Sequence, residues 1–299
     1  MTPVVSVRLP VSGAGLAALR CRPRRDTRPL ATVVLASGLL GSKEDFLPLL
    51  PHLAAYGYDV YAYDHRGQHE SEGTDDPDAY SVPALAEDLL RVAAAVRRDV
   101  PLQLAGHCVG GTIARTAVVA RPDAARSLAL ISCALHHDAR QAALSRLFAA
   151  QIDALGTSAL RPLIAQWAAA EPQRRTLMED RLRTTRRAHI VGLTRSIATL
   201  AHDDLAGPLA RSGVPTLLVH GDKDEATPQE AYRRLEAAVR AECVVVPGAG
   251  HTVQIHYPQA TARALHAFWH GVRGEGGGGP VPEAGTPPVG RRTAAARPV

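Results

Sequence analysis

Apolar residues recur along the chain in two rhythms. One is a set of short, nearly unbroken runs: Ala31–Ala36 (ATVVLA), Asp59–Tyr63 (DVYAY), Leu102–Ala105 (LQLA), Ser127–Ser132 (SLALIS), Pro215–His220 (PTLLVH) and Cys243–Val246 (CVVV). Runs that are continuous rather than alternating predict strands covered on both faces, as in a parallel sheet. Val4–Arg8 and Leu16–Cys21 predict an antiparallel hairpin ahead of them. The second rhythm has the helical period. Leu85, Leu89, Val92 and Val96 share one face and stop before Pro101, and Leu265, Phe268, Trp269 and Val272 do the same near the end. Thr227, Pro228 and Glu230 predict a capping box with proline at the first helical position. Strands alternating with helices predict a doubly wound α/β fold.

One stretch breaks the alternation. From Leu135 to Leu205 only helical pattern appears, clearest at Ile190, Leu193, Ile197 and Leu200. It reads as a helical cap, residues 135–205, inserted between two parts of a core, residues 1–134 and 206–273. Residues 274–299 are rich in glycine and proline with few large apolar side chains, so this tail is expected to be disordered.

Composition narrows the function. The 299 residues suffice for one large α/β domain with an insertion. Charged residues are 21% and apolar residues 46%, which excludes global disorder. The net charge of +5 comes from scattered arginines, and no basic stretch is interleaved with aromatics, so nucleic-acid binding is not expected. The four cysteines form no CxxC pair, which argues against zinc or a redox dithiol. No metal or cofactor is expected. Cys133 and Cys243 lie in apolar runs and read as buried. Residues 1–10 do not look like a signal peptide and no run approaches a membrane span, so a cytoplasmic location without membrane attachment is expected. That compartment suits a free thiol.

The candidate chemistry centres on Gly106-His107-Cys108-Val109-Gly110-Gly111, placed between a strand run and a helix-like run from Thr112 to Ala120. Strand, sharp turn and helix, with Gly106 and Gly110 two residues either side of Cys108, is the G-x-S-x-G pattern with cysteine for serine. Such a turn holds the sulfur above the sheet edge, where the N-terminus of the following helix favours thiolate. The Val109 N–H would face a developing oxyanion. Ser37-Gly38-Leu39-Leu40-Gly41 follows another strand run, and its Leu39 N–H is the candidate second donor. His220-Gly221-Asp222-Lys223-Asp224 puts carboxylates at a strand's C-terminal end, the ligand edge of an open sheet. Asp224 is the chosen acid, with Asp222 and Glu225 as rivals. Gly248-Ala249-Gly250-His251 puts a histidine on a glycine loop directly after the last strand run, which sets it apart from the twelve others. The order Cys108, Asp224, His251 fits a nucleophile–acid–base triad.

With these segments in place, the chain resembles the α/β-hydrolase superfamily from about Val4 to Val272. The resemblance rests on SGLLG (Ser37–Gly41), YDHRG (Tyr63–Gly67), GHCVGG (Gly106–Gly111), PTLLVHGDKD (Pro215–Asp224) and GAGHTVQIHYP (Gly248–Pro258). The triad is similar to that of dienelactone hydrolases and of some thioesterase-like enzymes of secondary metabolism. The chain as a whole is closer to cap-bearing esterases and thioesterases. Ser37 stands where the family usually has histidine, and His256 where many relatives have glutamate. The resemblance implies a hydrolase of esters, thioesters or lactones working through a Cys108 acyl-enzyme. Its substrate would be a small acyl compound, free or linked to CoA or a carrier protein. Ser37, Gly38, His107 and Trp167 are the candidate pocket residues. Two other readings stay open: an acyltransferase or cyclase that resolves the same intermediate with another nucleophile, and a non-catalytic ligand-binding protein of the same fold.

Overall fold

The computed structural model describes residues 2–11, 14–24, 27–135, 138–200, 203–274 and 291–292. Strands β1 (Val4–Val11) and β2 (Ala14–Cys21) form the leading hairpin. β3 (Thr32–Ala36), β4 (Asp59–Tyr63), β5 (Leu102–His107), β6 (Ser127–Ile131), β7 (Thr216–Gly221) and β8 (Glu242–Val246) follow. A two-residue β9 (Arg291–Arg292) pairs antiparallel with β8. The sheet order is β1-β2-β4-β3-β5-β6-β7-β8-β9, and every pair from β4 to β8 is parallel.

The continuous apolar runs have the physical cause expected of them. Along β3, Val34 faces one apolar cluster while Val33 and Leu35 face another; Leu104 and Ala105, Leu130 and Ile131, and Leu218 and Val219 divide the same way. Helices α2 (Val82–Val96) and α3 (Val109–Ala120) cover the first face. The second is covered by α1 (Leu50–Ala55) and, at the end of the chain, α11 (Pro258–Gly274), whose Trp269 is fully buried edge-on to Tyr58.

Between β6 and β7 the described chain is helical: α4 (Ala139–Leu155), α5 (Arg161–Ala170), α6 (Arg175–Thr184), α7 (Arg187–Thr199) and α8 (Ala206–Ser212). Ile152, Leu160, Ile164, Ala168, Met178, Ile190 and Val191 form a small apolar cluster of their own, against which Leu40 of the core packs. α9 (Gln229–Val239) and the short α10 (Val253–His256) complete the elements. The capping box expected at Thr227 does not form: the N-cap of α9 is Pro228 and carries no side-chain cap. The backbone N–H groups of Ala226 and Thr227 donate instead to Asp224. Most of the tail expected to be disordered lies outside the described residues, and so do His136 and His137. No described helix is long and apolar enough to cross a membrane.

Candidate active site

β5 ends at His107 and α3 starts at Val109, which leaves Cys108 as the single turning residue. Its backbone has φ 53° and ψ −125°, in the positive-φ region where a side chain is strained by about 1–3 kcal/mol. The surroundings hold it there. Its N–H donates to the Ile131 carbonyl at 3.0 Å, and its carbonyl accepts from Gly111 N–H at 3.0 Å. Two close approaches require glycine. A Cβ on Gly106 would lie 2.2 Å from the Gly110 carbonyl oxygen, and one on Gly110 would lie 2.3 Å from that of Ala36.

His251 follows β8 and faces the turn. Its Nδ1 lies 3.0 and 3.1 Å from the two Asp224 oxygens, and its ring is near enough to the Cys108 thiol for each to shift the other's pKa. His107 Nε2–H donates to the His251 carbonyl at 3.0 Å, which ties the His251 loop to the end of β5. Burial pushes His107 down to about 4, so it is neutral and that donor is the Nε2 tautomer.

Burial alone would raise the Cys108 thiol. The hydrogen bond and charge of His251, with the Val109 N–H, overcome that and hold it below the ordinary cysteine value. For His251 burial works downward, but hydrogen bonds to Asp224 and Cys108 lift it to about 10. Both directions favour a thiolate–imidazolium pair. At Cys133 burial wins: its thiol is pushed up to about 12 although hydrogen bonds from Leu135 and Thr112 work downward.

Asp224 is the carboxylate that reaches the imidazole. Burial would raise its pKa, yet His251 and the Tyr232 hydroxyl, which donates at 2.7 Å, keep it below the usual carboxylate range. The rival Asp222 is exposed and accepts instead from Gly248 N–H at 2.7 Å, tying two loops together. Glu225 is exposed.

Cys108 and His251 open onto a cavity of about 520 Å³. Leu39, Leu40, Leu163, Ile164, Trp167 and Met178 supply apolar walls, and Gly38 and His107 line it as expected. Trp167 is 39% exposed as well. Ser37 does not line the cavity. Its side chain is fully buried and its hydroxyl donates to Gln68 at 2.7 Å, a bond made inside the core rather than at the cavity. The Leu39 N–H donates to no protein group among the described residues, so it is available to a ligand oxygen. The expected residues are thus brought to one place, apart from Ser37. Sequence reasoning missed Tyr232 and a charged cluster of Asp45, Arg174 and Arg181 at the cavity wall. Outside this site, Glu44, His69 and Glu70 group like metal ligands, but Lys43 Nζ already lies 2.7 Å from Glu44 and 2.8 Å from Glu70.

Comparison with known proteins agrees with the fold. The family model for the alpha/beta hydrolase fold matches residues 31–258. The chain belongs to the α/β-hydrolase-fold family. A relative from Rhizobium rhizogenes (strain K84 / ATCC BAA-868), named a putative carbamate hydrolase RutD, is 28% identical over 238 residues, 76% of this chain and 88% of that one. Among solved structures, the enol-lactonase from Burkholderia xenovorans LB400 is similar with a TM-score of 0.72 at 21% identity, covering 90% of this α/β-hydrolase and all of that chain. The thioesterase domain from the curacin biosynthetic pathway is similar with a TM-score of 0.69 at 20% identity, covering 89% of this chain and 99% of that one. At such identities the two structures speak for the fold alone.

Proposed function

We propose that this α/β-hydrolase cleaves an ester, thioester or lactone through a covalent acyl-enzyme on Cys108. The observation that carries the reading is Cys108 at positive φ on the N-terminus of α3, on the same cavity as His251, which is itself paired with Asp224. The thiolate attacks the substrate carbonyl. The Leu39 and Val109 N–H groups receive the oxyanion. His251 gives its proton to the leaving group, and the C–O or C–S bond breaks. Water, deprotonated by His251, then attacks the thioester and frees Cys108. Asp224 holds the imidazole orientation throughout.

The walls suggest the acyl group. A cavity of about 520 Å³ lined by leucine, isoleucine, methionine and tryptophan suits an apolar acyl chain. The RutD relatives raise a carbamate as the substrate class. A small carbamate would leave most of that apolar space unfilled, so a larger acyl group fits better. Intact-protein mass spectrometry after incubation with acyl thioesters of increasing chain length tests the reading. A single acyl adduct mapping to Cys108, absent from Cys108→Ala, is the expected result. Turnover that survives in Cys108→Ala would sink it.

A further inference from the structure

The mechanism leaves unused the charged cluster at the cavity wall. Asp45 and Arg181 are each only 6% exposed, a depth at which charges must be paired. Asp45 Oδ1 accepts from Arg181 Nη2 at 2.8 Å and also from Arg174 Nη2. Arg181 Nε donates to the Ser42 hydroxyl at 2.7 Å. Both arginines come from the cap, Arg174 immediately before α6 and Arg181 in its second half, while Asp45 and Ser42 belong to the core immediately after the oxyanion loop.

The other carboxylate oxygen touches that loop. A Cβ on Gly41 would lie 2.4 Å from Asp45 Oδ2, so the carboxylate rests against the loop backbone. The same oxygen accepts from Ser42 N–H at 3.3 Å. Gly41 N–H in turn donates to the Gly38 carbonyl at 3.2 Å, closing the turn that carries Leu39. From the far side Gln68 donates to the same Gly38 carbonyl at 2.7 Å. A continuous set of contacts therefore runs from the cap arginines through Asp45 to the peptide that bears the Leu39 N–H.

The cluster is poorly placed to bind a substrate anion. Arg174 is shared between Asp45 and Glu171, and Glu171 also lies 3.3 Å from His256 Nε2, so the positive charges are already matched. Its geometry serves the loop instead.

We propose that Asp45, gripped by Arg174 and Arg181, is a positioning residue that aims the Leu39 N–H at the oxyanion, so that the cap sets the rate of Cys108 acylation. This rests on the acyl-enzyme reading above. The consequence is selective. Acylation by an ester forms an S–C bond, builds charge on the carbonyl oxygen, and expels the alkoxide. Alkylation by iodoacetamide forms an S–C bond at a saturated carbon and expels iodide, with no oxyanion. Loss of loop positioning must slow the first reaction and spare the second.

The test compares both rates on the full-length chain and on Asp45→Asn, Arg181→Lys and Arg174→Gln, using p-nitrophenyl acetate for acylation and iodoacetamide for alkylation. Arg181→Lys keeps a charge but cannot reach Ser42 and Asp45 together. Arg174→Gln leaves the Arg181 pair standing and is the mildest change, should Asp45→Asn fold poorly. Acylation should fall by about a hundredfold in Asp45→Asn and Arg181→Lys, the scale expected for a displaced donor, and less in Arg174→Gln. Alkylation of Cys108 should stay within about twofold of the parent, as expected where thiolate and base are untouched. Acylation that is unchanged, or acylation and alkylation falling in parallel, overturns the proposal. A parent protein that takes up iodoacetamide but no acyl group at Cys108 overturns the acyl-enzyme reading first and this one with it.

Discussion

At Cys108 two opposed forces meet, and His251 decides between them. Burial favours the neutral thiol, while the imidazolium and the Val109 N–H favour thiolate. The group's pKa is lowered, so the thiolate is present above it and lost as pH falls through it. Alkylation of Cys108 should therefore persist at pH values where an ordinary thiol, near 8.5, is largely protonated. In His251→Ala only the Val109 N–H still opposes burial, and the alkylation midpoint should move upward. A midpoint unmoved by that change would show that the helix N-terminus alone sets it. On the alkaline side, acyl transfer should decline as His251 loses its proton at about 10, because the leaving group then has no acid. Asp224→Asn should cost up to roughly ten-thousandfold in turnover, since the imidazole would lose the partner that orients it. Asp222→Asn should cost far less, its carboxylate being spent on Gly248; the reverse ranking would transfer the acid role. The grouping of Cys108, Asp224 and His251 at one sheet edge was legible because each follows a strand. Tyr232 was not, because a tyrosine eight residues beyond Asp224 on a helix looks like ordinary core until the helix is seen to bring its hydroxyl to the carboxylate.

The elements around the turn are packed to a tolerance of one methyl group. Gly106→Ala would drive a Cβ to 2.2 Å from the Gly110 carbonyl oxygen, backbone that cannot swing aside. Strand β5 and helix α3 would have to part, at a cost of roughly 1–3 kcal/mol or more. Gly271→Ala is the matched contrast. It lies in α11, and an added Cβ meets nothing within 4 Å. That change should stabilise by roughly 0.5–1 kcal/mol through helix propensity. Thermal unfolding of the pair gives opposite signs, and equal destabilisation would contradict the packing argument. The apolar runs marked β3 to β8 within a residue or two because a sheet covered on both faces demands such runs. Local capping chemistry was less legible. Thr227 had the residue pattern of a capping box, but a triad carboxylate competes for the same backbone donors and holds them.

Across the whole molecule, the helical stretch between β6 and β7 could be read from where strand signals stop and resume, whereas the sheet order β1-β2-β4-β3-β5-β6-β7-β8 depends on contacts between distant segments. The Asp45–Arg181 pair, 136 residues apart, belongs to the same hidden class: each partner reads as a solvated charge until the cap folds over the core. The end of the chain poses the reverse problem. Beyond Gly274 the sequence is glycine- and proline-rich with little apolar surface to offset the entropy of ordering it. Its described part is Arg291–Arg292, two residues paired with Cys243 and Val244 at the sheet edge. Strand pairing of that length adds little beside the eight-residue β1–β2 ladder at the opposite edge. Truncation after Gly274 should therefore shift the melting temperature by less than about 2 °C, which for a domain of this size is under about 1 kcal/mol. Acylation of Cys108 should be unchanged, since the site is built from residues that precede α11. A larger fall in melting temperature would mean that the edge of β8 relies on its short partner.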